Sequence, residues 1–293
     1  MSNALINVLK PPGMTSHDIV SFIRRKYHLK RVGHAGTLDP AAAGVLPVAL
    51  GSATRLLEYM TDTDKSYRVE LTIGYETDTG DDTGTITRQV TCSMPSLTDI
   101  EKILESFIGT IEQIPPMYSA IKVEGKKLYE LARAGIIVDR QPRTVTIQSI
   151  RLLCVDTTRM VFDVTCSKGT YIRSLCADIG EKMNCPVVMS FLVRTRVGDF
   201  SLAQSVTLEE IEEKPLEALL PMDHAIGYMA KLVVAPDKAQ AFMYGQTILQ
   251  THTLQILKPT PVRIYNQDDI FIGIGLMNPD RTGVVPIKVI ASE

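Results

Sequence analysis

The chain has only five cysteines in 293 residues (Cys92, Cys154, Cys166, Cys176 and Cys185), an odd and widely spaced set with no C-x-x-C pair. That pattern argues against a metal-binding cysteine cluster and reads as reduced thiols. No apolar run is long enough to span a membrane, and no basic stretch leads into a hydrophobic segment with a cleavage site at the N-terminus. The expectation is a cytoplasmic protein with no membrane association. Internal repeats and low-complexity tracts are lacking as well. Net charge is nearly absent: 31 basic against 33 acidic residues leave −2, which argues against wholesale attraction to a polyanion but leaves local patches open.

Such patches are present. Arg24, Arg25, Lys26, Lys30 and Arg31 follow one another with no acid between them. From 115 to 151, seven basic residues face only Glu124, Glu130 and Asp139, whereas acids collect at 62–82 and 209–223. A surface segregated in this way can bind a polyanion despite a negative total, although solvated helix faces would have the same composition. With 45% apolar residues over 293 positions, the chain is long enough for two domains with full cores.

In chain order, residues 4–9 read as a short buried strand stopped by Lys10-Pro11-Pro12-Gly13. Thr15 with Asp18 predicts a capped helix carrying Ile19, Ile23 and Tyr27 on one face. A helix is expected at 53–60. From Tyr67 to Tyr75 the apolar residues alternate, the signature of a half-buried strand with Tyr67 at the mouth of its buried face. The acidic turn 78–84 misses the calcium-loop spacing and reads as a hairpin tip. Ser96 opens a helix with Leu97, Ile100, Leu104 and Phe107 inward, closed by Gly109, and a basic helix is expected near 127–134. Strands resume at 144–155 and 160–166. Thr170 is expected to cap the next helix, which places Arg173 in its first turn, a position the helix dipole disfavours unless an anion answers it. A strand region at 187–200 and an acidic helix at 208–213 follow. From about 231 the composition shifts to a helix at 236–244 and short strands at 262–265, 270–275 and 284–289, separated by Asn-Gln-Asp-Asp and Asn-Pro-Asp-Arg turns, the pattern of a small β-barrel.

The stretch Gly33-His34-Ala35-Gly36-Thr37-Leu38-Asp39-Pro40 is the chain's most suggestive address. Its glycines allow close approach to the backbone, and Pro40 biases Asp39 away from helical angles. On these residues alone, Asp39 is either a turn residue capping a short helical segment or a nucleophile or base in a ligand-accessible loop.

The same stretch, with Gly44-Val45-Leu46 behind it, closely resembles the catalytic motif of the TruB family of tRNA pseudouridine-55 synthases. Collinear matches are Lys10-Pro11-Pro12-Gly13-Met14-Thr15-Ser16, Asp64-Lys65-Ser66-Tyr67-Arg68-Val69, Pro115-Pro116-Met117-Tyr118-Ser119-Ala120 and Lys168-Gly169-Thr170-Tyr171-Ile172-Arg173-Ser174-Leu175. The likeness covers roughly residues 4–230; the tail, through Phe271-Ile272-Gly273-Ile274-Gly275, is similar to a PUA domain, an RNA-binding β-barrel. The resemblance implies an α+β fold: a catalytic domain over 1–230, built on a mixed, mainly antiparallel sheet flanked by helices, with an RNA-binding insertion at about 115–143, then a PUA-like barrel over 231–293. It implies isomerisation of uridine 55 in the tRNA T-loop, with Asp39 as nucleophile, Arg173 as its ion-pair partner and Tyr67 stacking on the base. It also implies that His34 fills the space left by the flipped nucleotide, that Tyr171 and Leu192 line the pocket, and that Lys10 has a supporting role. No metal, cofactor or protein partner is implied, and nothing requires a dimer.

The chemistry is consistent with those roles. A carboxylate can hold ribose or base while uracil turns, a nearby arginine keeps it ionised, and stacking an extruded base on an aromatic ring is worth roughly 1–3 kcal/mol. Two other classes fit the same residues: a non-catalytic tRNA-binding protein, and a nucleoside or glycoside hydrolase. The hydrolase would need a second carboxylic acid as proton donor, and none is evident from the sequence.

Overall fold

In the computed structural model, residues 3–123, 125–249, 258–278 and 283–290 are described. Two sheets organise them. The larger has nine strands in the order β1 (Ala4–Lys10), β3 (Ala43–Leu50), β12 (Val187–Val197), β4 (Lys65–Ile73), β11 (Arg159–Cys166), β10 (Arg143–Val155) and β7 (Gly109–Gln113), with β2 (Val32–His34) beside β3 and β13 (Phe200–Ser201) beside β12. Its pairings are antiparallel except β3 with β12, where Ala43 and Gly44 run parallel to Val193 and Arg194.

Local sequence accounts for most of these elements. In β4, Lys65, Tyr67, Val69, Leu71 and Ile73 are buried in strict alternation, and the last four join the core beneath α3 (Leu97–Glu105) and α5 (Ile172–Lys182). Helix α1 (Ser16–Lys26) has a complete capping box between Thr15 and Asp18 and buries Ile19, Val20 and Ile23 against β1 and β3. The acidic helix is α6 (Leu208–Glu213), started by a capping box from Thr207 and Glu210. Pro47 lies inside β3, a strand with neighbours on both sides. It is tolerated because the second side of β3 is paired only at 43–44 and 48–50, so position 47 falls in the gap.

Several expectations are corrected. Residues 53–60 form a 3₁₀ turn, Gly51–Leu56, running into a short α2 (Leu57–Thr61). The β4 strand ends at Ile73; after Gly74, Tyr75 starts β5 (Tyr75–Thr77), which pairs with β6 (Ile86–Gln89). Leu97 is exposed because it occupies the first turn of α3 on the outer side, and that helix ends at Glu105, capped by Ser106 and not by Gly109. Thr170 does not cap α5: its hydroxyl donates to the Ser167 carbonyl, and Tyr171 takes the cap position. The five cysteines are not all free. Cys92, after β6, and Cys185, ahead of β12, are joined in a disulfide, because the β5–β6 hairpin folds back onto the start of β12.

Between β7 and β10 the chain leaves the sheet and forms β8 (Lys122–Val123), β9 (Lys126–Lys127) and α4 (Leu128–Arg133). The smaller sheet runs β14 (Ala230–Val233), β16 (Thr260–Tyr265), β17 (Phe271–Met277), β18 (Gly283–Val289) and β15 (Ile248–Leu249), curled around α7 (Pro236–Met243). Strands β14 and β15 went unread in the sequence, and the Asn-Pro-Asp-Arg turn lies outside the described residues beyond Asn278. Gly273 and Gly275 admit the Phe242 ring: a Cβ at Gly273 would stand 2.9 Å from it. The two sheets are joined by Leu56, Ile226, Met229 and Ile274 and by the Lys288–Glu58 ion pair at 2.6 Å.

Candidate active site

Asp39 lies in the loop between β2 and β3, and three buried side chains from different elements hold the backbone around it. Ser16, opening α1, receives the Leu38 N–H at 2.9 Å and donates to the Leu38 carbonyl at 3.2 Å. Lys10, fully buried at the end of β1, donates to the carbonyls of Pro11 (2.9 Å), Met14 (2.7 Å) and Pro40 (3.1 Å). Arg194, on β12, donates to Val45 (2.8 Å), Thr37 (3.3 Å) and Gly36 (3.1 Å). The loop reaches Arg194 because Gly44 pairs with it at a φ of 112°; a Cβ there would sit 2.2 Å from the Arg194 carbonyl oxygen.

The Asp39 side chain remains about one-third exposed, and its Oδ2 meets the Arg173 Nε at 3.0 Å. Arg173 is buried in the first turn of α5, where the dipole alone would disfavour it. Oxygens surround it instead. Its Nη1 donates to the Thr79 carbonyl at 2.9 Å, its Nη2 to the Tyr118 carbonyl at 2.8 Å, and Asp81 Oδ2 lies 3.9 Å from Nε. Asp81 is itself fixed by Thr79 and by the Thr83 backbone and hydroxyl.

Tyr67 stands directly across from Arg194 in the β4–β12 ladder, with its hydroxyl at the guanidinium. Burial raises its pKa, so it is a neutral ring presenting an aromatic surface. Leu192 lies two residues before Arg194 and is buried in the core with Tyr67. Tyr171 is half-buried and immediately precedes the helix that carries Arg173. His34 ends β2; its Nδ1 accepts the Gly36 N–H at 3.2 Å, and burial together with the Arg194 charge lowers its pKa, which favours the neutral imidazole. Burial also pushes Lys10 down to about 8, against the pull of Asp39, and Lys65, whose ammonium donates to the Thr61 and Thr63 carbonyls, down to about 8.

The structure thus brings Asp39 and Arg173 into direct contact, sets Tyr67 against Arg194, which bonds carbonyls of the Asp39 loop, places His34 at the start of that loop, and sets Leu192 and Tyr171 on the adjoining strand and helix end. Sequence reasoning passed over Ser16, Asp81, Gln113 and Arg194. For Arg194 a signal existed: it is a charged residue in phase with Leu192, on the buried side of a strand. Among the described residues no three His, Cys, Asp or Glu side chains converge as a metal-ligand set, and no helix is long and apolar enough to cross a membrane.

Residues 24–172 match the TruB family pseudouridylate synthase N terminal domain, 173–227 the tRNA pseudouridylate synthase B C-terminal domain, and 230–286 the C-terminal part of pseudouridine synthase II TruB. The chain belongs to the TruB family. Similar curated proteins include the tRNA pseudouridine synthase B of Alkaliphilus oremlandii, 46% identical over 98% of this chain and 97% of that one. The protein of the same name from Bacillus velezensis is 41% identical over 100% and 99%. Among solved structures, an H/ACA RNP bound to a substrate RNA containing 2'-deoxyuridine aligns with a TM-score of 0.73 at 25% identity, covering 99% of this chain and 85% of that one. A Cbf5-Nop10-Gar1 complex aligns with a TM-score of 0.73 at 26% identity over 98% and 84%. The two solved structures thus align with this chain over nearly the whole of its mixed α+β architecture.

Proposed function

We propose that this protein converts uridine 55 in the T-loop of tRNA to pseudouridine. The observation that carries the reading is the Asp39–Arg173 ion pair on a loop pinned from three sides, in a TruB-family chain whose curated relatives are named tRNA pseudouridine synthase B.

In this reading the target nucleotide flips out of the T-loop and its base stacks against Tyr67, with Leu192 and Tyr171 closing the pocket. Flipping costs less in a loop than in a duplex, and stacking offsets part of that cost. Asp39 acts as the nucleophile that starts cleavage of the C1′–N1 bond. Arg173 keeps it ionised and aimed. The freed uracil turns, C5 bonds to C1′, the C5 proton is lost and N1 gains one, so the product is an isomer and no electrons leave the system. The neutral His34 imidazole occupies the space the nucleotide leaves.

The domain assignment belongs to the same proposal: 1–230 carries the chemistry, the basic insertion at about 115–143 tracks the RNA backbone, and 231–293 adds an RNA-binding surface. The enzyme acts in the cytoplasm, as a single chain, without a metal or cofactor. The test maps pseudouridine in a T-arm RNA treated with the purified wild-type chain and with Asp39→Asn. The expected result is modification at position 55 by the wild type alone, with tRNA binding retained by the variant. Turnover by Asp39→Asn, or release of uracil from free uridine, would refute it.

A further inference from the structure

Gln113 is the last residue of β7, where the chain leaves the sheet for the basic insertion, and it is 2% exposed. Its Oε1 accepts the Tyr171 N–H at 2.7 Å. Tyr171 is the cap residue of α5 and supplies no capping bond from its own side chain, so Gln113 closes one of the open donors of that helix end from another element. Its Nε2 is buried with no partner. An unpaired buried donor is a cost, and an apolar residue of the same shape would avoid it. A glutamine at this place is therefore explained by its acceptor oxygen and not by packing.

The next residues continue the connection. The Ile114 carbonyl accepts from the Ser174 hydroxyl at 2.9 Å, and the Tyr118 carbonyl accepts from Arg173 Nη2 at 2.8 Å. The foot of the insertion thus grips residues 171, 173 and 174 at three points, and Arg173 in turn holds Asp39. We propose that Gln113 is a positioning residue for Arg173, fixing the start of α5 so that the Asp39 ion pair forms in register with the base of the RNA-facing insertion. Its effect on rate rests on the function proposed above; its effect on the ion pair does not.

The test uses the full chain with Gln113→Met, which keeps the shape without the acceptor, and Gln113→Glu, which restores an acceptor at the same reach. A carboxylate that accepts the Tyr171 N–H at the start of α5 is favoured by the helix dipole. Single-turnover pseudouridine formation at saturating enzyme is expected to fall about ten- to a hundredfold in Gln113→Met, as displaced reacting groups do, with the tRNA Kd unchanged. Most of the rate returns in Gln113→Glu. The Arg173 Nε–H resonance of 15N-arginine-labelled protein reads the ion pair without substrate; it is expected to move in the Met variant and return in the Glu variant. An unmoved resonance and a wild-type rate in Gln113→Met would overturn the inference, as would a folded Gln113→Glu that remains as slow as the Met variant. A wild-type chain that binds tRNA and forms no pseudouridine would overturn the proposed function instead, and the resonance would still decide the role of Gln113.

Discussion

Replacing Arg194 by Met tests whether the buried guanidinium organises the site. The side chain bonds three carbonyls, two at 2.8 and 3.1 Å and a longer one at 3.3 Å. Bonds from a charged donor are worth roughly 1.5–3 kcal/mol each, so the gross loss is about 3–6 kcal/mol when the longest is discounted. Against this stands the relief of no longer burying a cation that is met by carbonyls and the Tyr67 hydroxyl rather than by a carboxylate, a saving of several kcal/mol. The net expectation is a protein less stable by about 1–3 kcal/mol, read as a lower urea midpoint. The loop carrying Asp39 loses its anchors at Gly36 and Thr37, so the single-turnover rate should fall about a hundredfold. One consequence has the opposite direction: the Arg194 charge contributes to the lowered pKa of both His34 and Lys10, so His34 should titrate at higher pH in the variant, measured by imidazole NMR. A variant with wild-type stability, rate and His34 titration would refute the reasoning. Arg194→Lys is not a conservative control, because Val45, Thr37 and Gly36 are met by three separate nitrogens of a planar fork, which one ammonium does not reproduce.

Gly44→Ala should destabilise by about 2–5 kcal/mol, from backbone strain plus overpacking, because its Cβ meets the Arg194 backbone and not a movable side chain; denaturant unfolding measures it. Folded Lys10 loses its proton near 8, whereas the unfolded chain holds that proton until about 10.4. The unfolded state therefore binds more protons between those values, so the Lys10 contribution is flat below about pH 8 and rises above it, by up to about 3 kcal/mol. Lys10→Met should show a shallower rise in urea titrations between pH 8 and 10; an equal slope would refute the assignment. Denatured protein without reductant should expose three thiols, those of Cys154, Cys166 and Cys176, and five after reduction. The Cys92–Cys185 link spans 93 residues, so its reduction should lower stability by about 2–4 kcal/mol.

Elements whose signal is local were legible in the sequence. The alternation of β4, the capping box of α1, the acidic run of α6 and Pro236 at the start of α7 each depend on residues within one turn or one strand. Boundaries set by tertiary contacts were not. Tyr171 rather than Thr170 caps α5 because a distant glutamine receives its N–H, and β3 continues through Pro47 because of which neighbours lie beside that position. The site divides along the same line. Asp39, Tyr67 and Arg173 could be picked out as residues, and the oddity of an arginine in a first helical turn was visible. Its resolution required the carbonyls of Thr79 and Tyr118, which carry no side-chain signal. Cys92 and Cys185 sit in unrelated segments, and only the return of the β5–β6 hairpin to β12 unites them.

The parallel contact between β3 and β12 has a consequence for when the enzyme comes into being. The bond from Arg194 to Val45 spans 149 residues, and closing so long a loop is slow compared with forming hairpins and helices. During synthesis, which proceeds from the N-terminus, Asp39 emerges with Lys10 and Ser16, but Arg173 and Arg194 follow only after most of the large sheet has been made. A nascent chain shorter than about 200 residues therefore carries the Asp39 carboxylate in an unfinished loop. The site is completed by the last long strand of its sheet, so truncated products inherit Asp39 without the Arg173 and Arg194 that hold it and its loop in place.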